Sequence, residues 1–312
     1  MTRLLTAFLA AILLLPATAS AHDKLTVVLD WFVNPDHAPL VVAKNAGIFD
    51  RHDLQVDLVA PADPNDPPKL VAAGKADVAI SYQPQLHMQV AEGLPLRRIG
   101  TLVATPLNAL VVLRDGPVKT VADLKGRKIG YSIGGFEDAL LKTMLGEYGL
   151  KLTDVTMVNV NFTLSPSLYT GQVDAVIGAF RNFELNQMDL AGKPGRAFYP
   201  EEYGVPLYDE LILVANKDHL QDPRLSRLLD ALEEAVAMLH NHPDESWAAF
   251  IKGDKSLNDD LNRRAWRDTL PRFAPSPRAL DRHRYARFAA YLARQGLIPK
   301  ALPVDSYATE LK

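Results

Sequence analysis

Two aromatic residues follow predicted strands, at positions where their rings could cover a flat ligand. Trp31 comes shortly after the apolar run 25–29, and Tyr82 ends the apolar run 76–82. The carboxyl ends of parallel strands form the ligand-binding edge of an open α/β sheet. Each aromatic contact adds about 0.5–1.5 kcal/mol beyond apolar burial. The pair therefore indicates a site for a planar ring, and the alternative for Trp31 is a place in the core.

Polar residues occupy neighbouring strand ends and helix starts. A neutral heterocycle is recognised by a few donors and acceptors in an otherwise apolar cleft. Asn34 and Ser132 have an alternative role as helix caps, and His37 has an alternative role in a structural hydrogen bond. The residues expected to supply these groups are Asn34, His37, Gln85, Asn108 and Ser132.

Ser132 also lies in a possible nucleophile elbow. Residues 130–134 read Gly-Tyr-Ser-Ile-Gly, which fits G-x-S-x-G between a predicted strand and helix. Asp209 and His219 lie downstream, but a His-Gly-Gly type oxyanion segment is missing upstream. A serine hydrolase is therefore a minor alternative.

The elements that would position these residues alternate between strand and helix. Such alternation predicts α/β structure with parallel sheets. After a turn at 115–117 the alternation starts again, so the second half repeats the first. The predicted strands are 25–29, 55–60, 76–82, 96–104, 128–133, 155–160 and 174–180.

Two further apolar strands, 108–114 and 210–216, match in length and enclose one complete α/β unit. We interpret them as two hinge crossovers between two lobes. Lobe one is expected to comprise residues 22–113 and 208–312, and lobe two residues 114–207. Helices predicted at about 223–241 and 278–295 should pack back on lobe one.

The first 21 residues read as a secretory signal peptide. Arg3 precedes an apolar core at 4–15, and Ala19-Ser20-Ala21 resembles a cleavage site. Removal of 21 from 312 residues leaves 291, enough for two lobes. The sequence has no cysteine, which excludes disulfides and the usual lipid anchor. Its 34 basic and 37 acidic residues are interspersed, so no nucleic-acid partner is expected.

Several segments resemble the solute-binding proteins of thiamine-precursor importers, in the pyrimidine-synthase-like family. Leu29-Asp30-Trp31 and Ser81-Tyr82-Gln83-Pro84-Gln85 are the more specific ones. The resemblance covers roughly residues 25–216 in order. It is carried by residues 29–37, 61–63, 69–74, 80–85, 106–108, 128–132, 174–178 and 203–206.

This resemblance implies a type II periplasmic-binding fold and a ligand-facing acid at Glu184, within the segment 180–184 that also holds Asn182. A carboxylate can accept hydrogen bonds from the exocyclic amine and the protonated ring nitrogen of an aminopyrimidine. An ordinary first-turn acid is the alternative for Glu184. Arg181 keeps a sulfonate- or nitrate-type anion open as a ligand.

The family resemblance also implies the biological role. We expect a monomeric periplasmic protein that captures formylaminopyrimidine or hydroxymethylpyrimidine and delivers it to the permease and ATPase subunits of an ABC importer. Riboflavin is an alternative ligand. The synthases that this family resembles depend on a cysteine-rich motif, which is missing here. We therefore expect no enzyme activity, no cofactor and no metal site.

Overall fold

The computed structural model describes residues 22–311, and the predicted signal peptide lies outside this range. Within the range the chain forms ten strands and eleven α-helices. The strands are β1 Asp23–Val28, β2 Leu54–Val59, β3 Val78–Ser81, β4 Leu96–Val103, β5 Asn108–Leu113, β6 Lys128–Tyr131, β7 Thr156–Asn159, β8 Ala175–Phe180, β9 Gly195–Phe198 and β10 Leu211–Asn216. The helices are α1 Ala38–Asn45, α2 Ile48–Arg51, α3 Pro67–Ala72, α4 Gln83–Ala91, α5 Phe136–Gly146, α6 Leu164–Tyr169, α7 Glu184–Leu190, α8 Pro223–Asn241, α9 Pro243–Lys252, α10 Asp260–Thr269 and α11 Arg282–Arg294.

Each lobe is built on one sheet of five strands, among the residues from 22 to 311. The first sheet has the order β2-β1-β3-β10-β4, and the second has the order β7-β6-β8-β5-β9. In each sheet the winding strands are parallel, whereas the crossover strand, β10 or β5, runs antiparallel to both neighbours. Such sheets are covered by helices on both faces, which explains why every residue of β3 and nearly every residue of β5 is buried.

The place where the chain first leaves lobe one differs from the expected boundary at 113–114. β4 pairs with β10 in the first sheet, but β5 pairs with β8 and β9 in the second. The first crossover therefore lies at residues 104–107, before the strand that we had assigned to lobe one. The return crossover lies between β9 and β10, and β10 is in lobe one as predicted.

The last third of the chain is helical and packs on lobe one, as predicted. α8 covers residues 223–241 and lies against α1, while α11 lies against α4. The apolar face of α8 contributes leucines such as Leu228, Leu232 and Leu239 to the lobe-one core. Within residues 22–311, none of the helices is long and apolar enough to cross a bilayer.

The first sheet brings the two predicted aromatic residues to one edge. Val27 and Val28 of β1 pair in register with Val78 and Ala79 of β3. Because the strands are parallel, the residues after β1 and after β3 emerge at the same carboxyl edge. Trp31 and Tyr82 therefore face the cleft between the lobes.

Candidate functional site

A cavity of about 20 Å³ lies between the two lobes. This volume is enough for about one water molecule, so the lobes must separate before a ligand can enter. Lobe one contributes Asp30, Trp31, Asn34, Asp36 and Tyr82. Lobe two contributes Ile133, Phe136, Glu137, Leu164, Gly178, Phe180, Phe183 and Glu184.

Aromatic rings from the two lobes meet at this cavity. The ring of Tyr82 stacks on Phe136, with centroids 5.1 Å apart and 21° between the planes. Trp31 meets the edge of Phe162 at 4.6 Å. The cleft is thus closed, and part of the surface of Tyr82 that was expected to cover a ligand is covered by Phe136. The indole Nε1 of Trp31 is buried without a hydrogen-bond partner within the described residues.

Asp30 fixes the orientation of Tyr82. The Tyr82 hydroxyl donates to Asp30 Oδ2 at 2.7 Å, and His37 Nε2 lies 2.8 Å from Asp30 Oδ1. His37 Nδ1 accepts from the backbone N–H of Asn34, so both ring nitrogens are engaged within the protein. His37 is fully buried and does not line the cavity. The structural hydrogen bond considered for His37 is the role that the structure gives it.

Asn34 caps the short 3₁₀ turn Pro35–His37. Its Oδ1 accepts from the Asp36 backbone N–H at 2.8 Å, and Pro35 supplies the fixed backbone angle that favours the first position of the turn. The residue also lines the cavity. This cap turns the chain after β1, which places Asp36 in the cleft.

Asp36 binds lobe two through Asn182. The Asn182 Nδ2 donates to Asp36 Oδ1 at 2.5 Å and to Thr269 Oγ1 at 2.6 Å, so it bridges the lobes but does not line the cavity. Asp36 Oδ2 is buried and has no partner among residues 22–311. Burial raises the pKa of Asp36 to about 6.

Glu184 is buried at the start of α7 and lines the cavity. Its Oε2 accepts from the Phe180 backbone N–H at 2.6 Å. Burial raises the pKa of Glu184 to about 8; the Phe180 N–H acts to lower it, and the charges of Asp36 and Asp30 act to raise it. A group that titrates near neutral pH can share a proton with a weakly basic ring nitrogen.

Glu137 is a cavity acid that the sequence analysis missed. It lies in the first turn of α5, where its Oε2 accepts from the Ser132 backbone N–H at 2.7 Å. Burial raises the pKa of Glu137 to about 8. Asp30 and Asp36 were missed as well, although both lie in the segment that carries the family resemblance. The available signal was an acidic side chain directly after a strand end or helix start.

Three other predicted ligand contacts are used inside the protein and do not line the cavity. Gln85 accepts from the Ser81 hydroxyl at 2.9 Å, and Asn108 Oδ1 accepts from the Gly178 N–H at 3.1 Å. The Ser132 hydroxyl donates to the backbone carbonyl of Asn161. A carbonyl cannot activate a hydroxyl as a general base, so the geometry does not support the hydrolase alternative.

Arg181, the residue that kept an anionic ligand open, lies outside the cavity. Its guanidinium group binds both carboxylate oxygens of Glu201, at 2.6 and 3.0 Å, and lies 4.0 Å from the ring centre of Tyr199. The cavity lining, as far as residues 22–311 form it, contains no lysine or arginine. The site is therefore electrostatically unsuited to sulfonate or nitrate.

Comparisons with known proteins identify the family of the chain. A family model described as "NMT1/THI5 like" matches residues 34–246. A "Putative thiamine biosynthesis protein" from Haemophilus influenzae is 56% identical over 301 residues, which are 96% of each chain. The "Formylaminopyrimidine-binding protein" of Halalkalibacterium halodurans is 32% identical over 252 residues, 80% of this chain and 76% of the relative.

A more distant relative is named for an enzyme. The "4-amino-5-hydroxymethyl-2-methylpyrimidine phosphate synthase" of Uromyces fabae is 27% identical over 300 residues, 92% of this chain and 87% of that one. Among solved structures, the alkanesulfonate-binding protein SsuA of Xanthomonas axonopodis pv. citri has a TM-score of 0.73 at 18% identity and covers 92% of this chain and 98% of its own. At this identity the structural match indicates a shared periplasmic-binding fold.

Proposed function

Because the chain belongs to the NMT1/THI5-like family, we propose that it is the periplasmic solute-binding component of an ABC importer and that its cargo is a thiamine-type aminopyrimidine. Formylaminopyrimidine and hydroxymethylpyrimidine are the two candidates. The ligand docks in the cleft, and closure of the lobes excludes water and strengthens the polar contacts. The closed form is the form that the permease recognises.

The observation that carries this proposal is Glu184 in a cavity without basic side chains among the described residues. Its carboxyl group and an aminopyrimidine edge can share one proton across two hydrogen bonds, from the exocyclic amine and to or from the ring nitrogen. Burial removes the competing water, which makes both hydrogen bonds stronger. Trp31 and the phenylalanine rings supply the apolar contact that a flat ring needs.

The close packing of the cleft favours a single ring over riboflavin. The cavity of about 20 Å³ is lined on both sides by packed aromatic residues, so a small ligand needs the smaller separation of the lobes. A tricyclic ligand with a sugar-alcohol tail would have to separate the Tyr82 and Phe136 rings. Riboflavin therefore remains an alternative that the ligand analysis below also tests.

A synthase activity is not proposed, despite the name of the relative from Uromyces fabae. The family resemblance places the synthase chemistry on a cysteine-rich motif, and this sequence contains no cysteine. His37 is also held between Asn34 and Asp30, away from the cavity lining.

The direct test is to release the ligand from freshly purified protein and identify it by mass spectrometry. Calorimetric titration with pyrimidines then measures affinity. We expect Glu184→Gln to weaken binding by about tenfold or more, which corresponds to about 1.4 kcal/mol. Glu202→Gln, an exposed acid of lobe two, is the matched control and should bind as the wild type does. Equal affinities for all three proteins would remove Glu184 from the site.

Closure can be tested separately by small-angle scattering. The closed cleft described above should open when the ligand is removed, so the radius of gyration should decrease when the ligand is added back. An unchanged radius would contradict the clamshell mechanism.

A further inference from the structure

Glu137 is held in one position at the lobe-two side of the cavity. Its carboxylate accepts from the Ser132 N–H at 2.7 Å, and the side chain is 2% exposed. It also lies directly against β8, because a β-carbon at Gly178 would be 2.2 Å from Glu137 Oε1. Gly178 has a φ of +100°, where a side chain would also be strained. The missing side chain at Gly178 thus provides the space in which the carboxyl group of Glu137 lies.

The cavity holds more hydrogen-bond acceptors than the edge of one aminopyrimidine can use. Asp36, Glu137 and Glu184 all line it, and within residues 22–311 none of them forms an ion pair with lysine or arginine. Asp36 Oδ2 and Trp31 Nε1 are buried in the lining and have no hydrogen-bond partner within residues 22–311. Buried polar groups are rarely left without partners, so these two atoms are available to a ligand or to a water molecule.

The two glutamates lie in different surroundings. Glu137 lies in the first turn of α5 and accepts from the Ser132 N–H, whereas Glu184 begins α7 and accepts from the Phe180 N–H. If the ring edge of the ligand hydrogen-bonds Glu184, Glu137 is therefore free to contact another part of the ligand. Trp31, Tyr82 and three phenylalanines also line the cavity, and they favour a cation because ring faces attract positive charge.

We propose that Glu137 binds a protonated amine on the side arm of the ligand, so that the preferred cargo is an aminopyrimidine with a second, cationic amine. This inference rests on the proposed function, because it assigns the ring to Glu184 and the arm to Glu137. Glu137 then determines how the affinity for a pyrimidine depends on its side arm. Gly178 has a positioning role, since it keeps the carboxyl group against β8.

The test uses three ligands that share the 4-amino-2-methylpyrimidine ring and carry an aminomethyl, a hydroxymethyl or a formylaminomethyl group at position 5. Calorimetry of the wild-type protein should give an affinity for the aminomethyl compound about tenfold above the other two, because a charge-assisted hydrogen bond is stronger than a neutral one. Glu137→Gln should reduce this preference to about twofold or less, because the amide no longer carries a charge that pairs with the ammonium group. Glu202→Gln serves again as the control.

Several outcomes would overturn the inference. One is a wild-type protein that binds the hydroxymethyl or formylaminomethyl compound as tightly as the aminomethyl one, a result that needs no variant to fold. Another is a Glu137→Gln protein that loses the same factor for all three ligands, which is what a purely structural role predicts. If none of the three pyrimidines binds the wild-type protein, the proposed function itself fails, and this result is distinct from both.

Discussion

Two groups of buried charges differ in how their partners are supplied. Around the cavity, Asp36, Glu137 and Glu184 receive hydrogen bonds from backbone or amide groups and have no basic partner among the described residues. At the base of lobe one, a second group, which we call the hinge network, consists of Arg98, Thr101, Asp209 and Arg284. Thr101 and Arg284 donate to the two oxygens of Asp209. The hinge network therefore has both signs of charge, whereas the cavity has one.

The hinge network also connects the two crossovers. Arg284 of α11 donates to the carbonyl of Ala104 in the first crossover and to Asp209 just before β10 in the second. Arg98 is fully buried, and it donates to Thr101 and to backbone carbonyls at 277–279 and 309. The comparison indicates that charges which are paired within the protein stabilise the fold, whereas the acids without a basic partner are those that we propose for ligand binding.

The largest expected effect is on the hinge network. Arg98→Met leaves several buried carbonyl oxygens without a donor, so we expect the free energy of unfolding to fall by about 3–5 kcal/mol. Urea denaturation measures this change, and Arg97→Met, a neighbouring arginine that is less buried, is the control. The remaining folded protein should bind its ligand with unchanged affinity. A decrease in the free energy of unfolding of less than about 1 kcal/mol would show that Arg98 contributes little to stability.

The raised pKa values of the cavity acids predict a pH dependence that is opposite to that of an acid in a salt bridge. Because burial in the closed cleft raises the pKa of Glu184 from its usual 4.5 to about 8, the closed form binds more protons than the open form between these values. Without ligand, closure should therefore become less favourable as the pH rises from 5 to 8, by on the order of 1–3 kcal/mol. Asp36 and Glu137 have raised pKa values and act in the same direction.

Small-angle scattering of the ligand-free protein at pH 5, 6.5 and 8 measures this change as an increase in the radius of gyration. Glu184→Gln should reduce the increase and should keep the ligand-free protein more compact than the wild type at pH 8. A wild-type radius that is constant over this range would contradict the raised pKa values of the cavity acids.

The positions of Trp31 and Tyr82 could be predicted from the sequence because they depend on local pattern. Each follows an apolar strand, and parallel strands end at a common edge. The sheet that contains Asn108–Leu113 could not be predicted in this way. The run is apolar on both faces and suits the centre of either sheet, so its partner strands are decided by tertiary pairing.

The orientation of polar side chains was the least predictable part of the site. Ser132 and Asn108 lie at strand ends as expected, but each bonds a backbone group of an adjacent segment. Glu137 has the pattern of an ordinary first-turn acid, and only the packing of α5 against Gly178 directs it into the cleft. Sequence spacing locates a side chain on an edge, whereas its partners depend on segments that are distant in the chain.

Ligand affinity should depend on pH through Glu184. Up to about pH 8 the carboxyl group carries the proton that it shares with a neutral pyrimidine ring. Above pH 8 binding requires proton uptake, so affinity should fall about tenfold per pH unit, or about 1.4 kcal/mol. The charges that face this group are Asp36 and Asp30, and both are acidic. Calorimetry in two buffers of different ionisation enthalpy measures the proton uptake, and Glu184→Gln should abolish its contribution.

The smallest expected effect concerns Asn65, which joins the lobes outside the cavity. Its Nδ2 donates to the Ser132 carbonyl at 3.1 Å, and its Oδ1 accepts from the Gly134 N–H at 3.2 Å. These bonds exist only when the cleft is closed, so Asn65→Ala should raise the dissociation rate of the ligand by the equivalent of about 0.5–1.5 kcal/mol. Asn216→Ala is the matched control, because Asn216 forms a comparable pair of bonds entirely within lobe one. If stopped-flow measurements give both variants the same dissociation rate, the contact is not specific to the closed state, and closure depends on other contacts between the lobes, such as Asn182–Asp36 and Thr143–Tyr291.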